Sequence, residues 1–187
     1  MNRLVTWVVA LAVIVAAGVV IALGPEDETS QAPFETVVAL GQPGTGRDIA
    51  VTFDDVRAVT LVEAESGDWT GETEGVWIAV DLTATSLLDQ SGMHGWLVVD
   101  DDIFDASTRA ESNGMEERVL SAGLPERGTL LFEVPRNLLD TASGARILVA
   151  SGSDWRLDSA ITLPVDLTSL DVESTYVFAA PTRVPLP

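Results

Sequence analysis

Residues 75–87 read GVWIAVDLTATSL, and this stretch decides the fold. Every second residue from position 76 to position 84 is apolar, and these residues form one face: Val76, Ile78, Val80, Leu82 and Ala84. The residues between them, which include Trp77 and Asp81, form the opposite face. Successive side chains of a β-strand point to opposite sides of the sheet, so a period of two residues indicates a half-buried strand. The stretch therefore predicts a long strand that turns one face towards a hydrophobic core.

Further runs with the same alternation lie on both sides of this strand. They are Ile49–Phe53, Val56–Val62 beyond an Asp54–Asp55 corner, Leu130–Val134, Arg146–Ala150 and Leu157–Val165. Glycine, proline, aspartate and asparagine separate the runs, as is typical of turns. Only Arg136–Ala142, directly after Pro135, has the pattern of a short helix. Many short strands with few helices predict an all-β fold, an immunoglobulin-like antiparallel β-sandwich over residues 34–165.

The core of this sandwich has to come from packed apolar side chains, because the chain has no cysteine and hence no disulfide. Four tryptophans lie within or beside the predicted strands: Trp69, Trp77, Trp96 and Trp155. A tryptophan side chain buries a large apolar area. We therefore expect at least two of the four in the core.

The composition excludes several classes of function. The chain has 29 acidic and 10 basic residues, all the basic ones arginine, and a formal charge of −19. Nucleic-acid-binding proteins neutralise phosphates with lysine and arginine, so we expect no nucleic-acid partner. The lack of cysteine also excludes thiolate metal sites, cysteine nucleophiles and a lipid-bearing cysteine anchor. A single histidine excludes clusters of imidazole ligands.

The N-terminal segment is typical of a membrane anchor. Leu4–Leu23 contains twenty residues and no charged side chain, and a helix of that length covers a hydrocarbon core of about 30 Å. Arg3 precedes the segment and acidic residues follow it, which predicts a cytoplasmic N-terminus. We predict a signal anchor over residues 1–24 and an acidic flexible linker over residues 25–33. The alternative is a cleaved signal peptide, whose apolar region is usually shorter, and the protein would then be secreted.

Residues 166–187 differ in character from the predicted domain and end in a proline-rich stretch. We predict a C-terminal extension there. Its apolar residues Tyr176, Val177 and Phe178 leave two interpretations open. They could pack back on the sandwich, or the extension could be offered to a partner protein as a strand or extended peptide. These three residues are the candidate partner contacts.

No set of residues in the sequence predicts catalysis. A serine hydrolase needs a positioned base, for which His94 is the single candidate, and no G-x-S-x-G motif surrounds any serine. His94 lies in QSGMHGW, between Gly92 and Gly95, which is the composition of a turn. Glycine-rich nucleotide-binding motifs are also missing. We therefore predict neither catalytic residues nor a cofactor.

Aspartates are concentrated in one predicted hairpin, which contains Asp100, Asp101, Asp102 and Asp105. Calcium takes six to eight oxygen ligands, so clustered aspartates are candidate ligands. However, the EF-hand spacing is absent, and aspartate is also a common turn residue. The turn interpretation is favoured, and no metal site is predicted with these four residues.

Three segments occur in an order that resembles a known family: GVWIAVDLTATSL (75–87), WLVVDDDIFDAS (96–107) and LPERGTLLFEVP (124–135). They resemble an immunoglobulin-like family of bacterial extracytoplasmic domains of unknown function, the DUF4352 type, related in fold to a secreted actinobacterial immunoprotective antigen. The resemblance covers about residues 36–165. This sequence departs from the family at Thr85–Ser86, where an asparagine is usual. The resemblance implies a sandwich fold and an extracytoplasmic location, without a general catalytic role.

Together these features predict a membrane-anchored extracytoplasmic β-sandwich that acts by binding, for instance as a subunit of a membrane transporter or envelope complex. Its partners would be the membrane, through one helix, and another envelope or membrane protein. The alternative is a secreted or anchored ligand-binding domain, with calcium at the acidic hairpin as one form of it.

Overall fold

The computed structural model of the protein describes residues 3–22 and 32–185, which fall into two compact units, residues 1–32 and 33–187. The first unit contains one helix, α1 (Arg3–Ala22). Among the described residues, no helix combines the length and the hydropathy that crossing a bilayer requires. The membrane span therefore stays a prediction. Most of the predicted linker, residues 25–33, lies outside the described residues.

The second unit is a β-sandwich of two sheets. Its strands are β1 (Phe34–Val37), β2 (Pro43–Thr45), β3 (Ile49–Ala64), β4 (Thr70–Ser86), β5 (His94–Val99), β6 (Asp102–Asp105), β7 (Glu126–Val134), β8 (Ala145–Ala150), β9 (Ser159–Val165), β10 (Val172–Phe178) and β11 (Thr182–Arg183). The first sheet has the order β1-β9-β8-β5-β6, and the second has β10-β3-β4-β7-β11 with β2 paired to β3. A short helix, α2 (Leu138–Thr141), follows Pro135 within the predicted helical stretch. The prediction of a β-sandwich is confirmed.

Strands β3 and β4 form the backbone of the second sheet. They are 16 and 17 residues long and pair antiparallel, and β7 lies on the other side of β4. The predicted apolar face of β4 is fully buried against the first sheet. The Asp54–Asp55 corner predicted from the sequence is wrong, because β3 continues through it with a register shift between Phe53 and Asp55. The extra residue of a β-bulge absorbs the change of direction without ending the strand.

Apolar side chains are buried in three places. The main cluster lies between the sheets and includes Ile49, Val51, Phe53, Leu82, Leu97, Leu130, Phe132, Ile147, Val149 and Ile161. Trp77 is buried in a second cluster, outside the β4 face that enters the main core. Trp96 is buried in a third cluster with Leu148 of β8. Two buried tryptophans meet the expectation, although both pack on outward faces of their sheets.

The predicted purely antiparallel pairing is wrong at two sheet edges. Strand β1 pairs parallel to β9, and β10 pairs parallel to β3. Parallel neighbours need a long connection between them. More than a hundred residues separate the two strands of each pair, and such a pairing leaves no local signal in the sequence.

The sandwich extends past the predicted boundary at residue 165. Strand β10 continues the second sheet beside β3, and β11 pairs with Arg127 and Glu126 of β7. The side chain of Phe178 is 1% exposed and packs in the second cluster, whereas Val177 is 53% exposed. Residues 172–183 thus form part of the sheet, where the sequence predicted an extension outside the domain.

Replacing Phe178 tests this revised boundary. Phe178→Ala should lower the free energy of unfolding by about 3–5 kcal/mol, because it leaves a cavity among the side chains of the second cluster. The exposed neighbour is a matched control, and Val177→Ala should change stability by less than about 0.5 kcal/mol. Urea denaturation of the full chain, followed by tryptophan fluorescence, measures both. Equal small effects would mean that β10 is not a stable part of the sheet.

Candidate functional site

The acidic hairpin between β5 and β6 holds its first aspartate in a structural role. Asp100 has a positive φ of 51°, and its carboxylate accepts hydrogen bonds from the amides of Ser143 and Gly144 at 3.2 and 3.1 Å. The hydroxyl of Ser143 also donates to it. These bonds, above all that from the Ser143 hydroxyl, lower the pKa of Asp100. Asp100 therefore ties the β5–β6 turn to the loop between α2 and β8.

The structure does not gather the other aspartates of this hairpin around Asp100. Asp101 lies in the turn, and Asp102 and Asp105 are the first and last residues of β6. All three are exposed. Residues three apart on a strand point to opposite faces of the sheet, so Asp102 and Asp105 diverge. Within residues 3–22 and 32–185 no group of three or more acidic or histidine side chains could hold a metal ion.

Tyr176 of β10 takes part in a polar network on the outer face of the second sheet. Its hydroxyl lies 2.7 Å from both carboxylate oxygens of Asp81, which is the central outward residue of β4. Thr129 of β7 donates to Asp81 at 2.6 Å, and an Arg57 nitrogen lies 3.4 Å from it. The Arg57 guanidinium also lies 4.2 Å from the Tyr176 ring centroid. We call these four residues the Asp81 network.

The electrostatics of the Asp81 network fix Tyr176 as the donor. Burial, followed by the hydrogen bond to Asp81 and its charge, raises the pKa of Tyr176 to about 12. The phenol therefore stays protonated and links β10 to β4 across β3. Of the three candidate partner contacts, Tyr176 and Phe178 are used inside the protein and Val177 is exposed. The sequence signal for this network was Asp81, the one charged residue in the stretch Trp77–Ala84.

His94 is the first residue of β5 and does not lie in the turn that its neighbours predicted. Its Nδ1 lies 2.9 Å from one carboxylate oxygen of Glu116, and the other oxygen accepts from the amide of Gly95 at 2.9 Å. Burial raises the pKa of Glu116. The pair joins the start of β5 to the long connection between β6 and β7. The two oxygens of the Glu116 carboxylate are thus used by the His94 ring and by the backbone amide of Gly95.

Exposed apolar side chains are concentrated at one edge of the first sheet. Phe34 is 70% exposed, and Val37 and Leu40 are also largely exposed. In the sheet order, β1 is the end strand and its one neighbour is β9. Phe34 and Val37 are three residues apart and point to opposite faces of the sheet, and Leu40 follows β1. We call the edge strand with these three exposed side chains the β1 edge surface. The sequence analysis missed it, because seven residues with scattered apolar positions show no distinctive period.

Comparisons with known proteins support the fold and leave the function open. No protein-family model and no curated protein matches the sequence. An uncharacterized β-sandwich protein from Clostridium difficile 630 matches with a TM-score of 0.52 and 6% identity, over 75% of this chain and 99% of that one. The YjhA protein from Bacillus subtilis matches with a TM-score of 0.46 and 13% identity, over 67% and 98% of the two chains, which is too remote to support an inference. The first likeness shows a shared sandwich fold alone.

The Glu116 pair makes a prediction about pH. Because the folded protein holds the Glu116 proton more tightly than the unfolded chain does, the stability due to this group is full below pH 4.5 and is lost as pH rises through the raised pKa. Glu116→Gln keeps the size and removes the titration. The free energy of unfolding of the variant, relative to wild type, should therefore increase from about pH 4.5 towards neutral pH.

Urea denaturation of the full chain at several pH values measures this difference. Glu173→Gln replaces an exposed glutamate and serves as the control for the loss of a surface carboxylate. A difference between Glu116→Gln and wild type that does not change with pH would contradict the assigned role of burial at Glu116.

Proposed function

We propose that the protein is a membrane-anchored extracytoplasmic β-sandwich that acts by binding another membrane or envelope protein. The uncharged stretch Leu4–Leu23, with Arg3 before it, supports the anchor and its orientation. A subunit of a membrane transporter or envelope complex would have these properties. The high negative charge is unfavourable for nucleic acid as a partner.

The strand order supports an immunoglobulin-like sandwich. If β3, β4, β5, β6, β7, β8 and β9 receive the letters A, B, C, C′, E, F and G, one sheet carries A, B and E together. The other carries G, F, C and C′ in that order. Immunoglobulin sandwiches divide their strands in this way. This order and the three resembling segments are the support for membership in the family of extracytoplasmic domains.

The β1 edge surface is the observation that carries the binding proposal. Edge strands present unpaired backbone groups, and proteins usually protect them with charges or a covering segment. Here Phe34 and Val37 are exposed on such a strand. An added strand from a partner would pair with the β1 backbone and cover these side chains, as in other cases of strand addition.

The polar groups that could perform chemistry support binding over catalysis. His94 is paired with Glu116, and the carboxylate of Asp81 already accepts from Tyr176 and Thr129. A general base or nucleophile needs a free position facing a substrate. The Asp81 carboxylate is instead engaged in holding strands together, and no G-x-S-x-G motif supplies a nucleophile for His94.

Site-directed crosslinking in native membranes tests the binding proposal. A benzophenone-bearing residue at position 34 should give a crosslinked product, to be identified by mass spectrometry. The same residue at position 103 is the control, because Ile103 is 53% exposed on the opposite edge strand β6. Phe34→Asp should abolish co-purification of that product's partner, and Ile103→Asp should preserve it. Identical products from both positions, or none from position 34, would contradict the β1 edge surface as the contact.

The anchor has its own test. The mature protein should retain the residues before position 24, and protease added outside intact cells should digest the sandwich. N-terminal sequencing and protease accessibility measure these properties. A mature chain that begins after Leu23 would mean that the signal is cleaved and that the protein is secreted, not anchored.

A further inference from the structure

Four connections between strands meet at one end of the sandwich. Strand β3 begins at this end beside the last residue of β4, and β9 begins there beside the first residue of β1. The connections are residues 46–48, 87–93, 116–125 and 151–158. Backbone hydrogen bonds, one β-bridge and one ion pair join them in the pairs Leu87–Asp48, Ser91–Leu120 and Arg47–Asp158.

Exposed apolar side chains are concentrated in these four connections. Leu88, Val119 and Leu157 are 53–65% exposed, and Leu87 is also exposed. Among the described residues of the sandwich, the other connections expose one large apolar side chain, Leu40, which belongs to the β1 edge surface. A single exposed apolar side chain is common, whereas several at one end are typical of a contact surface. We call Leu87, Leu88, Val119 and Leu157 the apolar loop surface.

The backbone of Leu157 shows that turn formation does not explain this leucine. Its φ of 57° lies in the left-handed region, which is uncommon for a bulky residue. Leu157 lies in a turn that the Asp158 amide closes by donating to the Trp155 carbonyl at 3.2 Å. Glycine and asparagine are the usual residues with positive φ in turns. A leucine is unfavourable for this turn, but it is suited to contact with an apolar phase.

The two ends of the sandwich differ in charge. The four connections with the apolar loop surface contain six acidic residues and three arginines. The connections at the opposite end contain seven acidic residues, one arginine and none of the exposed large apolar side chains; they are residues 65–69, 100–101, 135–144 and 166–171. The apolar loop surface therefore lies at the less acidic end. Its remaining excess of negative charge favours uncharged over anionic surfaces.

The course of the chain selects a lipid surface as the occupant. Strand β1 begins with Phe34 at the end that carries the apolar loop surface. Eleven residues, 23–33, separate Phe34 from the last residue of α1. If α1 is the membrane anchor of the proposed function, the chain passes from the bilayer into the sandwich at this end. The exposed leucines are thus at the end where lipid is supplied.

We propose that the apolar loop surface inserts into the headgroup region of a bilayer of zwitterionic phospholipid. Leu88, Val119 and Leu157 leave water on insertion, which is favourable, while the acidic turns at the opposite end stay in water. The inference rests on the membrane anchor of the proposed function. It adds a second contact with lipid, made by the sandwich itself and by other residues than those of the β1 edge surface.

Fluorescent labels on the full chain in phosphatidylcholine vesicles test this contact. The chain has no cysteine, so Leu88→Cys and Leu157→Cys each accept a single NBD label. Lipids with a nitroxide near the headgroup should quench both labels, because interfacial side chains lie about 5–10 Å deep. Ile103→Cys is the matched control, since Ile103 is similarly exposed but lies on β6. Its label should not be quenched.

Flotation of the same vesicles separates this inference from the proposed anchor. A chain that floats with the vesicles while positions 88 and 157 stay unquenched would overturn the lipid contact and leave the anchor intact. A chain that does not float would overturn both. Labels that are shielded in native membranes, but are not quenched by nitroxide lipids, would assign this end to a protein partner and would also overturn the lipid contact.

Aspartate substitutions test whether the apolar loop surface acts as a unit. The reporter is an NBD label at Val119→Cys, combined with Leu88→Asp and Leu157→Asp. Burying charged carboxylates is costly, so quenching at position 119 should be lost. Ile103→Asp in the same reporter chain is the control and should preserve it. The replaced residues are exposed, so urea midpoints should stay near that of wild type. Preserved quenching in the folded double variant would overturn the proposal.

The lipid class has a separate test in the same reporter chain without the aspartate substitutions. Replacing part of the phosphatidylcholine by anionic phosphatidylglycerol should weaken quenching at position 119, because the connections at this end carry excess negative charge. Stronger quenching on the anionic vesicles would overturn the choice of a zwitterionic surface.

Discussion

The register between β3 and β4 is the constraint on which the rest of the structure depends. It places the even-numbered residues of β4 from Val76 to Ala84 between the sheets and turns Trp77 and Asp81 outward. Because the side chains of a strand alternate, a slip of one residue would bring Asp81 into the core and Val80 to the surface. That exchange would cost a buried unpaired carboxylate as well as a lost apolar contact. The two long strands therefore fix both faces of the second sheet at once.

The outward face of β4 then determines how the C-terminal part of the chain is held. Trp77 and Phe178 belong to the same cluster, where Trp69 lies edge-on to both rings, and Asp81 supplies the acceptor for the Tyr176 hydroxyl. Strand β4 thus carries an apolar and a polar attachment point four residues apart. In a chain without disulfides, such contacts between distant segments have to come from packing and hydrogen bonds. They explain why the sheet continues beyond residue 165.

The two sheets differ in whether their outward side chains already have partners within the protein. On the second sheet Asp81 is surrounded by donors, so it contributes to stability. On the first sheet the β1 edge surface keeps Phe34 exposed. Exposed apolar side chains are removed from water when another molecule covers them, which is favourable. This contrast points to the first sheet as the binding side of the proposed module.

The sandwich class, the inward face of β4 and the short helix after Pro135 could be predicted from the amino-acid pattern, because those features depend on neighbours a few residues apart. Because the chain has no cysteine and one histidine, the sequence also excluded thiolate metal sites, cysteine nucleophiles and clusters of imidazole ligands. Only the tertiary structure decided that Val172–Phe178 joins a sheet, that Tyr176 meets Asp81, and that Glu35 and Arg146 flank Thr162. These contacts join residues that are far apart in the chain. Strand periodicity gives the face of each residue, whereas the choice of neighbouring strand depends on how the whole chain packs.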